Sequence, residues 1–351
     1  MRKKVVTILG FLIAVALIFS LAAAHVRPNE RDILSLFGLT FPYIYFIAIV
    51  LLPFLWSANK ITFIGLTIIV LWGTPGIFSY VKPVFRERQA ADTDINVLTF
   101  NAMMGVKLVD ERNLFGEDRQ ALFNELMNRD PKPDIICVQE VNPIVQEALS
   151  EAFDYPYFHQ LDKRGTVIIS RYPIIEKGLV DFGPKLNSCL WADINVNDQI
   201  VRVYSAHFES NRLNQSSYDF LAKEGGYESK EAIRGINDLL RKYPKYATAR
   251  ANQAEQVKKH IKASPYPVIL CGDFNDPPMS YTYHTFKEEL DDTFMKNGRG
   301  WGTTWIGGIP LLRIDYILSS PELNNTSFSC LKSNLSDHYP VKASFDISAK
   351  R

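Results

Sequence analysis

Val268-Ile269-Leu270-Cys271-Gly272-Asp273-Phe274-Asn275 is a strand-like apolar run that turns abruptly into a glycine, an acid and an amide. The same change recurs along the chain. Phe100-Asn101, Val138-Gln139-Glu140, Ser205-Ala206-His207 and Ser336-Asp337-His338 each close such a run on acidic, amide or imidazole groups, and Arg313-Ile314-Asp315-Tyr316 places an acid inside one. Charged groups are seldom buried beside strands unless they are paired or hold a metal. Taken singly, each has a bland reading. Asn101 could cap a turn, Asp273 and Asn275 could build an Asx-turn, and His207 could be a satisfied core histidine. All six together point to one polar site at the ends of several strands.

Around these blocks the pattern is one of short strands and helices. Ile95 to Phe100 alternates, whereas Asp134 to Gln139 is nearly continuous in apolar residues, as expected of a strand covered on both faces. Thr166–Ser170, Leu190–Val196, Ile200–Ala206, Val268–Cys271, Ile314–Leu318 and Val341–Ile347 also read as strands. Helices are expected over 117–129, which Pro131 ends, and near 142–152, 230–242, 248–263 and 281–290. Several strands follow one another with no helix between them. Mixed sheets in an α/β (α+β) domain are therefore expected rather than one parallel sheet.

The first ninety residues differ in kind. Val5–Ala24, Ile33–Trp56 and Ile61–Val81 are apolar stretches, each long enough as a helix, at about 1.5 Å per residue, to cross about 30 Å of hydrocarbon. Pro42, Pro53 and Pro75 fall inside the second and third, and Tyr43, Tyr45, Trp56 and Tyr80 are expected near the membrane interfaces. The first stretch ends in Leu21-Ala22-Ala23-Ala24 like a signal peptide, but it is longer than most signal cores and two more spans follow. The expected organisation is a membrane anchor over 1–81 with three transmembrane helices, a polar linker over 82–93, and a catalytic domain over 94–351. Arg2, Lys3 and Lys4 favour a cytoplasmic N-terminus and hence an extracytoplasmic domain, although Lys82, Arg86 and Arg88 argue the opposite sense.

The 351 residues carry a net charge of +1, so the whole molecule has no strong attraction for polyanions. Four cysteines (Cys137, Cys189, Cys271, Cys330) without a CxxC pair suggest neither a disulfide scaffold nor zinc. The oxygen-rich groups Glu140, Asp337 and Asn101 favour a hard cation such as magnesium, with manganese as the alternative. Such an ion can neutralise phosphoryl charge, a further carboxylate can activate water, and an imidazole can donate to phosphoryl oxygens. Hydrolysis of a phosphate ester is the chemistry that this set suits.

Taken in order, LTFNAM, CVQEV, GTVIISRYPI, YSAHFES, GDFNDPP, RIDYIL and SDHYPV resemble the blocks of the endonuclease/exonuclease/phosphatase (deoxyribonuclease-like) superfamily over about residues 94–347. The resemblance implies a four-layer sandwich, two mixed β-sheets face to face with helices outside, preceded here by the three apolar spans. It also implies roles. Glu140 would be the principal metal ligand, helped by Asn101 and Asp337. Asp273 would activate the attacking water and Asn275 hold it, while His338, oriented by Asp315, and His207 would contact the phosphate. The His207 block departs mildly from the usual Thr-His-Leu, and the catalytic tyrosine of some members has no clear match.

Weaker signals surround this set. Arg250 and Gln253 are candidates for substrate contact, against a reading as a polar shoulder bonded to a loop. Trp301 and Trp305, in a Gly-rich segment, are candidates for stacking on a base, sugar or headgroup, against simple loop packing. The expected partners are the bilayer and a phosphate-ester substrate in nucleic acid or phospholipid, with no obligatory protein partner. The rival is an inactive, membrane-tethered phosphate-binding module on the same fold, whose mark would be a lost ligand.

Overall fold

The computed structural model describes residues 1–29, 33–84, 95–105, 123–124, 129–161, 165–183, 187–211, 229–307 and 309–347. Most of the helix expected over 117–129 and of the linker over 82–93 lies outside the described residues.

Three N-terminal helices, α1 (Arg2–Ala23), α2 (Leu34–Ala58) and α3 (Lys60–Ile77), are each long and apolar enough to cross a bilayer. Ile8, Phe11, Val50, Leu71 and Trp72 stand exposed on them while Leu17, Ala48, Leu55 and Leu66 are buried between them. Apolar residues thus cover both the inner and outer faces, which suits hydrocarbon and not water. The α2–α3 turn needs only Asn59, whose side chain caps α3 by accepting from Thr62 N at 3.0 Å. The third span, expected to reach residue 81, ends at Ile77: Tyr80 N turns back to Ile77 O, and Val81–Lys82 becomes strand β1.

β1 pairs with β11 (Gly300–Trp301). The other twelve strands form two sheets of six. One has the order β13-β14-β2-β3-β5-β4: Asn324–Cys330, Val341–Asp346, Ile95–Asn101, Ile135–Gln139, Thr166–Ser170 and Tyr157–Gln160. The other has the order β10-β12-β9-β8-β7-β6: Asp291–Asp292, Asp315–Ser319, Val268–Asp273, Gln199–His207, Ser188–Val196 and Ile174–Val180. β2–β3 and β8–β9 are parallel and all other pairs antiparallel, so both sheets are mixed as expected.

Strand side chains alternate, and here the alternation sorts three cores. Ile95, Val97, Cys137, Ile194, Val203, Ile269, Cys271 and Ile317 point between the sheets. The intervening Leu98, Phe100, Ile136 and Val138 meet α4 (Pro143–Ala152) through Val145, Ala148 and Leu149. On the far side Tyr204, Val268, Leu270 and Leu318 meet α5 (Ser229–Lys262) through Ala254, Val257 and Ile261. Helix, sheet, sheet, helix: four layers result.

Some details differ from expectation. The helices expected at 230–242 and 248–263 are one, running through Pro244. The helix at 281–290 lasts only from Tyr281 to His284, because beyond Thr285 the amides of Phe286 and Lys287 bond three residues back, to Tyr283 O and His284 O. Strands β4, β6 and β13 lie where no strand is legible: β6 and β13 carry exposed polar positions, and β4 is four residues long with its polar His159 buried and its apolar Phe158 exposed.

The sandwich sits directly on the N-terminal helices. Arg313 and Asp292 form a fully buried pair, Nη2 to Oδ1 at 2.7 Å, and Arg313 Nη1 also donates to Ser79 O at 3.1 Å just after α3. Gly302 N donates to Tyr80 O at 2.8 Å, and Arg27 after α1 pairs with Glu255 of α5 at 2.7 Å. Removing one half of a buried pair strands the other charge. Arg313→Met is therefore expected to cost about 3–5 kcal/mol in urea unfolding of the full chain in micelles, and adding Asp292→Leu to recover most of it. A single-variant loss below about 1 kcal/mol, the range of an exposed pair, would contradict this.

Candidate active site

The alternation that builds the inter-sheet core also builds the site. Continuing the inner rows from Val97, Cys137, Val203, Cys271 and Ile317 by twos reaches Asn101, Gln139, His207, Asp273 and Asp315. Register brings these to one level: Asn101 is paired with Gln139, and Asp273 with both His207 and Asp315. Just beneath lies a polar layer, in which Gln139 Nε2 donates to Thr99 Oγ1 of its own sheet and Ser205 Oγ of the other, each at 3.2 Å.

Two residues reach the site by leaving regular strand geometry. Glu140 and Asn275 have φ of 56° and 53°, left-handed values that non-glycine residues rarely adopt. Gly272, at φ 138°, is forced: a Cβ there would stand 1.9 Å from Ala206 O on the adjoining strand.

Side chains then close the cluster across the sheets. Asn101 Nδ2 donates to Glu140 Oε1 at 3.2 Å and to Asp273 Oδ2 at 3.0 Å, linking one sheet to the other. Its Oδ1 accepts from Met103 N at 2.9 Å, so ligation through Oδ1 requires a half-turn of the amide. Asn275 donates its backbone N to Asp273 Oδ1 at 2.8 Å and its Nδ2 to Oδ2 at 3.1 Å. The Asx-turn is therefore present, and it belongs to the site. Both oxygens of Asp315 lie by His338 Nδ1, at 2.9 and 3.1 Å, leaving Nε2 to face the cleft. Asp337 accepts from Trp305 Nε1 at 3.2 Å.

His207 Nε2 is buried without a hydrogen-bond partner, 3.6 Å from Glu140 Oε1 and 3.8 Å from Asp273 Oδ2. It is not a satisfied core histidine. Within ion-pair distance, Glu140, Asp273 and Asp315 have only His207 and His338 as cationic partners among the described residues. Ligand atoms of Asp273, Asp315 and His338 lie within 4.8 Å of one another, close enough to hold a metal ion.

The cleft above this cluster has a volume of about 330 Å³. Glu140, Asp273, Asn275, Asp337, His338 and Trp305 line it, together with Leu39, Leu239, Tyr243, Ile309 and Leu312. The apolar members escaped the sequence reading, and Leu39 belongs to α2, where nothing in the sequence sets it apart. The expected contacts of Arg250 and Gln253 with substrate are corrected by their burial. Arg250 is fully buried, 2.7 Å from Asp276, and donates to Glu209 O and Asn211 Oδ1 at 3.0 and 2.9 Å; Gln253 Oε1 accepts from Glu209 N at 2.8 Å. They shape the segment that carries Ser210 and Asn211 into the cleft. Trp301 is likewise corrected: it pairs with Val81 and packs on Phe46 of α2, outside the cleft lining.

With that geometry in place, the comparisons decide the family. Residues 98–338, more than half of the chain, match the Endonuclease/Exonuclease/phosphatase family. The chain belongs to that family. Residues 3–80 match a family described only as a domain of unknown function, and no curated protein matches. Among solved structures, an endonuclease/exonuclease/phosphatase from Bacteroides vulgatus is similar at 17% identity and a TM-score of 0.53, over 73% of this chain and 99% of that one. D. rerio TDP2 complexed with a single-strand DNA product is similar at 19% and 0.52, over 73% and 100%. Bacteroides thetaiotaomicron mannosyl-6-phosphatase is similar at 18% and 0.50, over 72% and 100%. Identities this low establish the fold, and membership of the family supports a phosphoesterase.

Electrostatics follow from burial and neighbours. Burial pushes the Asp273 carboxyl up to about 6, against the pull of His338 and His207. Burial disfavours the His338 imidazolium, but Asp315 and Asp273 outweigh it and raise His338 to about 10. Since that value exceeds the ordinary 6.5, protonation of His338 stabilises the fold fully below pH 6.5 and the benefit is lost as pH rises through 10. For Asp273 the benefit of its proton is complete below 3.8 and lost as pH rises through 6. Asp315→Asn in metal-free protein is expected to lower the His338 value by about 1–3 units and to destabilise the fold between those two His338 limits. Ring nitrogen shifts followed through an NMR titration check it; an unmoved His338 would rule out Asp315 as the source.

Proposed function

We propose that this protein hydrolyses phosphate esters with a divalent cation, at a membrane surface. The observation that carries the reading is the convergence of Asn101, Glu140, His207, Asp273, Asp315 and His338, from both sheets, in one cluster, of which Glu140, Asp273 and His338 line the cleft. The donor set fits a hard ion: Glu140 and Asp273, which among the described residues have only His207 within ion-pair distance, beside a buried imidazole nitrogen with no hydrogen bond. Magnesium, or manganese in its place, would be held by Glu140 with Asn101 and Asp337. When bound, such an ion supplies charge neutralisation at the phosphate and at the leaving oxygen.

The remaining work falls to side chains. Asp273, whose carboxyl burial raises toward neutrality, takes a proton from the attacking water, which Asn275 orients. His338, kept protonated by Asp315, donates from Nε2 to a phosphoryl oxygen, and His207 supports the same charge from the opposite strand. With three spans, the basic Arg2–Lys4 end favours an extracytoplasmic catalytic domain, which protease accessibility in intact cells would decide.

Full-length protein in micelles is expected to cleave bis-p-nitrophenyl phosphate with magnesium and to lose that activity to a chelator. Asp273→Asn and Glu140→Gln should each lower kcat/KM by about a thousandfold, and His338→Gln by about a hundredfold. Activity indifferent to the chelator and to all three substitutions would refute the reading.

A further inference from the structure

The cleft is lined by two unlike groups: the acid–imidazole cluster of Glu140, Asp273, Asp337 and His338, and an apolar cluster that holds Leu39, Leu239, Tyr243 and Leu312, with Ile309 also in the lining. The apolar cluster does not end at the cleft. Leu39 and Tyr243, both buried, pack with Ala247, and the partly buried Leu36, Leu239 and Leu312 close around them, so an apolar cluster runs from the cleft lining onto α2. Tyr43, one turn further along α2, donates its hydroxyl to Pro310 O and ties the segment bearing Ile309 and Leu312 to the same helix. Gly38 lets that helix approach so closely that a Cβ there would lie 2.4 Å from Met279 O, just beyond the Asp273 turn.

Charge argues in the same direction. A polynucleotide presents a phosphate at every nucleotide and calls for cations along its path. The described cleft lining contains acids and no Lys or Arg. It offers one place for a phosphate and, beside it, a surface for a hydrocarbon chain.

We propose that the substrate is a lipid of the bilayer: a phosphate ester whose phosphate reaches Asp273 and His338 while its chain lies along Leu39, Leu239 and Leu312. This deepens the phosphoesterase reading and rests on it. The flank allows the phosphate to rise from the headgroup layer into the cleft without stripping the chain into water. Each methylene so exposed would cost roughly fourfold in rate.

The test uses full-length protein in nanodiscs with magnesium and a series of alkyl p-nitrophenyl phosphates from methyl to hexadecyl. The hexadecyl ester is expected to show a kcat/KM at least about a hundredfold above the methyl ester. Leu39→Asn and Leu239→Asn should each cut that ratio about tenfold by placing an amide against the chain, whereas Leu39→Met should keep it. Wild type and variants share one nanodisc composition, so partitioning of the ester cancels. A methyl ester hydrolysed with no chain-length dependence, or a single-stranded oligonucleotide cleaved faster than the hexadecyl ester, would overturn the lipid proposal and leave the phosphoesterase standing. No hydrolysis of any probe would sink both.

Discussion

A strand can bury only every second side chain on a given face, and two sheets packed face to face turn that rule into a set of rows converging on a common edge. In this protein the rows are apolar through Val97, Cys137, Val203, Cys271 and Ile317. They become polar at Thr99, Gln139 and Ser205, and end on Asn101, His207, Asp273 and Asp315. Groups so placed are neither solvated like a surface nor neutral like a core. Hence the raised Asp273 carboxyl, the imidazolium kept at His338 by Asp315, and the His207 nitrogen left without a partner. The left-handed backbone at Glu140 and Asn275 adds strain of about 1–3 kcal/mol each, held in place by the well-packed layers below.

A second constraint is the seat of the sandwich on the N-terminal helices. Buried ion pairs contribute little net stability but fix geometry, because a misplaced partner leaves a bare charge. Arg313 with Asp292 does this at the end of α3, through Ser79 O, and Arg250 with Asp276 does it behind the cleft, where Tyr243 also donates to Asp276 at 2.9 Å. Both pairs lie beside residues of the site, Arg313 two positions before Asp315 and Asp276 directly after Asn275. The same short blocks therefore carry the polar cluster and the attachment to the apolar helices. A sandwich held in this way cannot wander as a loosely tethered one would.

Legibility followed burial. Central strands such as Ile135–Gln139 and Val268–Asp273 are covered on both faces and read as apolar runs. Edge strands β6 and β13 present polar positions to solvent, and β4 exposes Phe158 while burying His159, which masks their period. The polar ends of the central runs marked the site because an acid or imidazole at such a place is costly. Arg250, Gln253 and Trp301 misled for the complementary reason. A polar or aromatic side chain near a motif looks available until the fold shows it already bonded to the Glu209 segment or packed on Phe46.

Local patterns along the chain determined three apolar spans, mixed sheets and a row of acids, amides and imidazoles at strand ends, since hydropathy and period two act between near neighbours. Which sheet each row belongs to, the level at which the rows meet, and the half-apolar shape of the cleft were decided only by tertiary structure. Leu39 stands more than 230 positions from Asp273 in the chain, and both line the same cleft. Contacts of that range depend on the packing of whole layers, to which no local period refers.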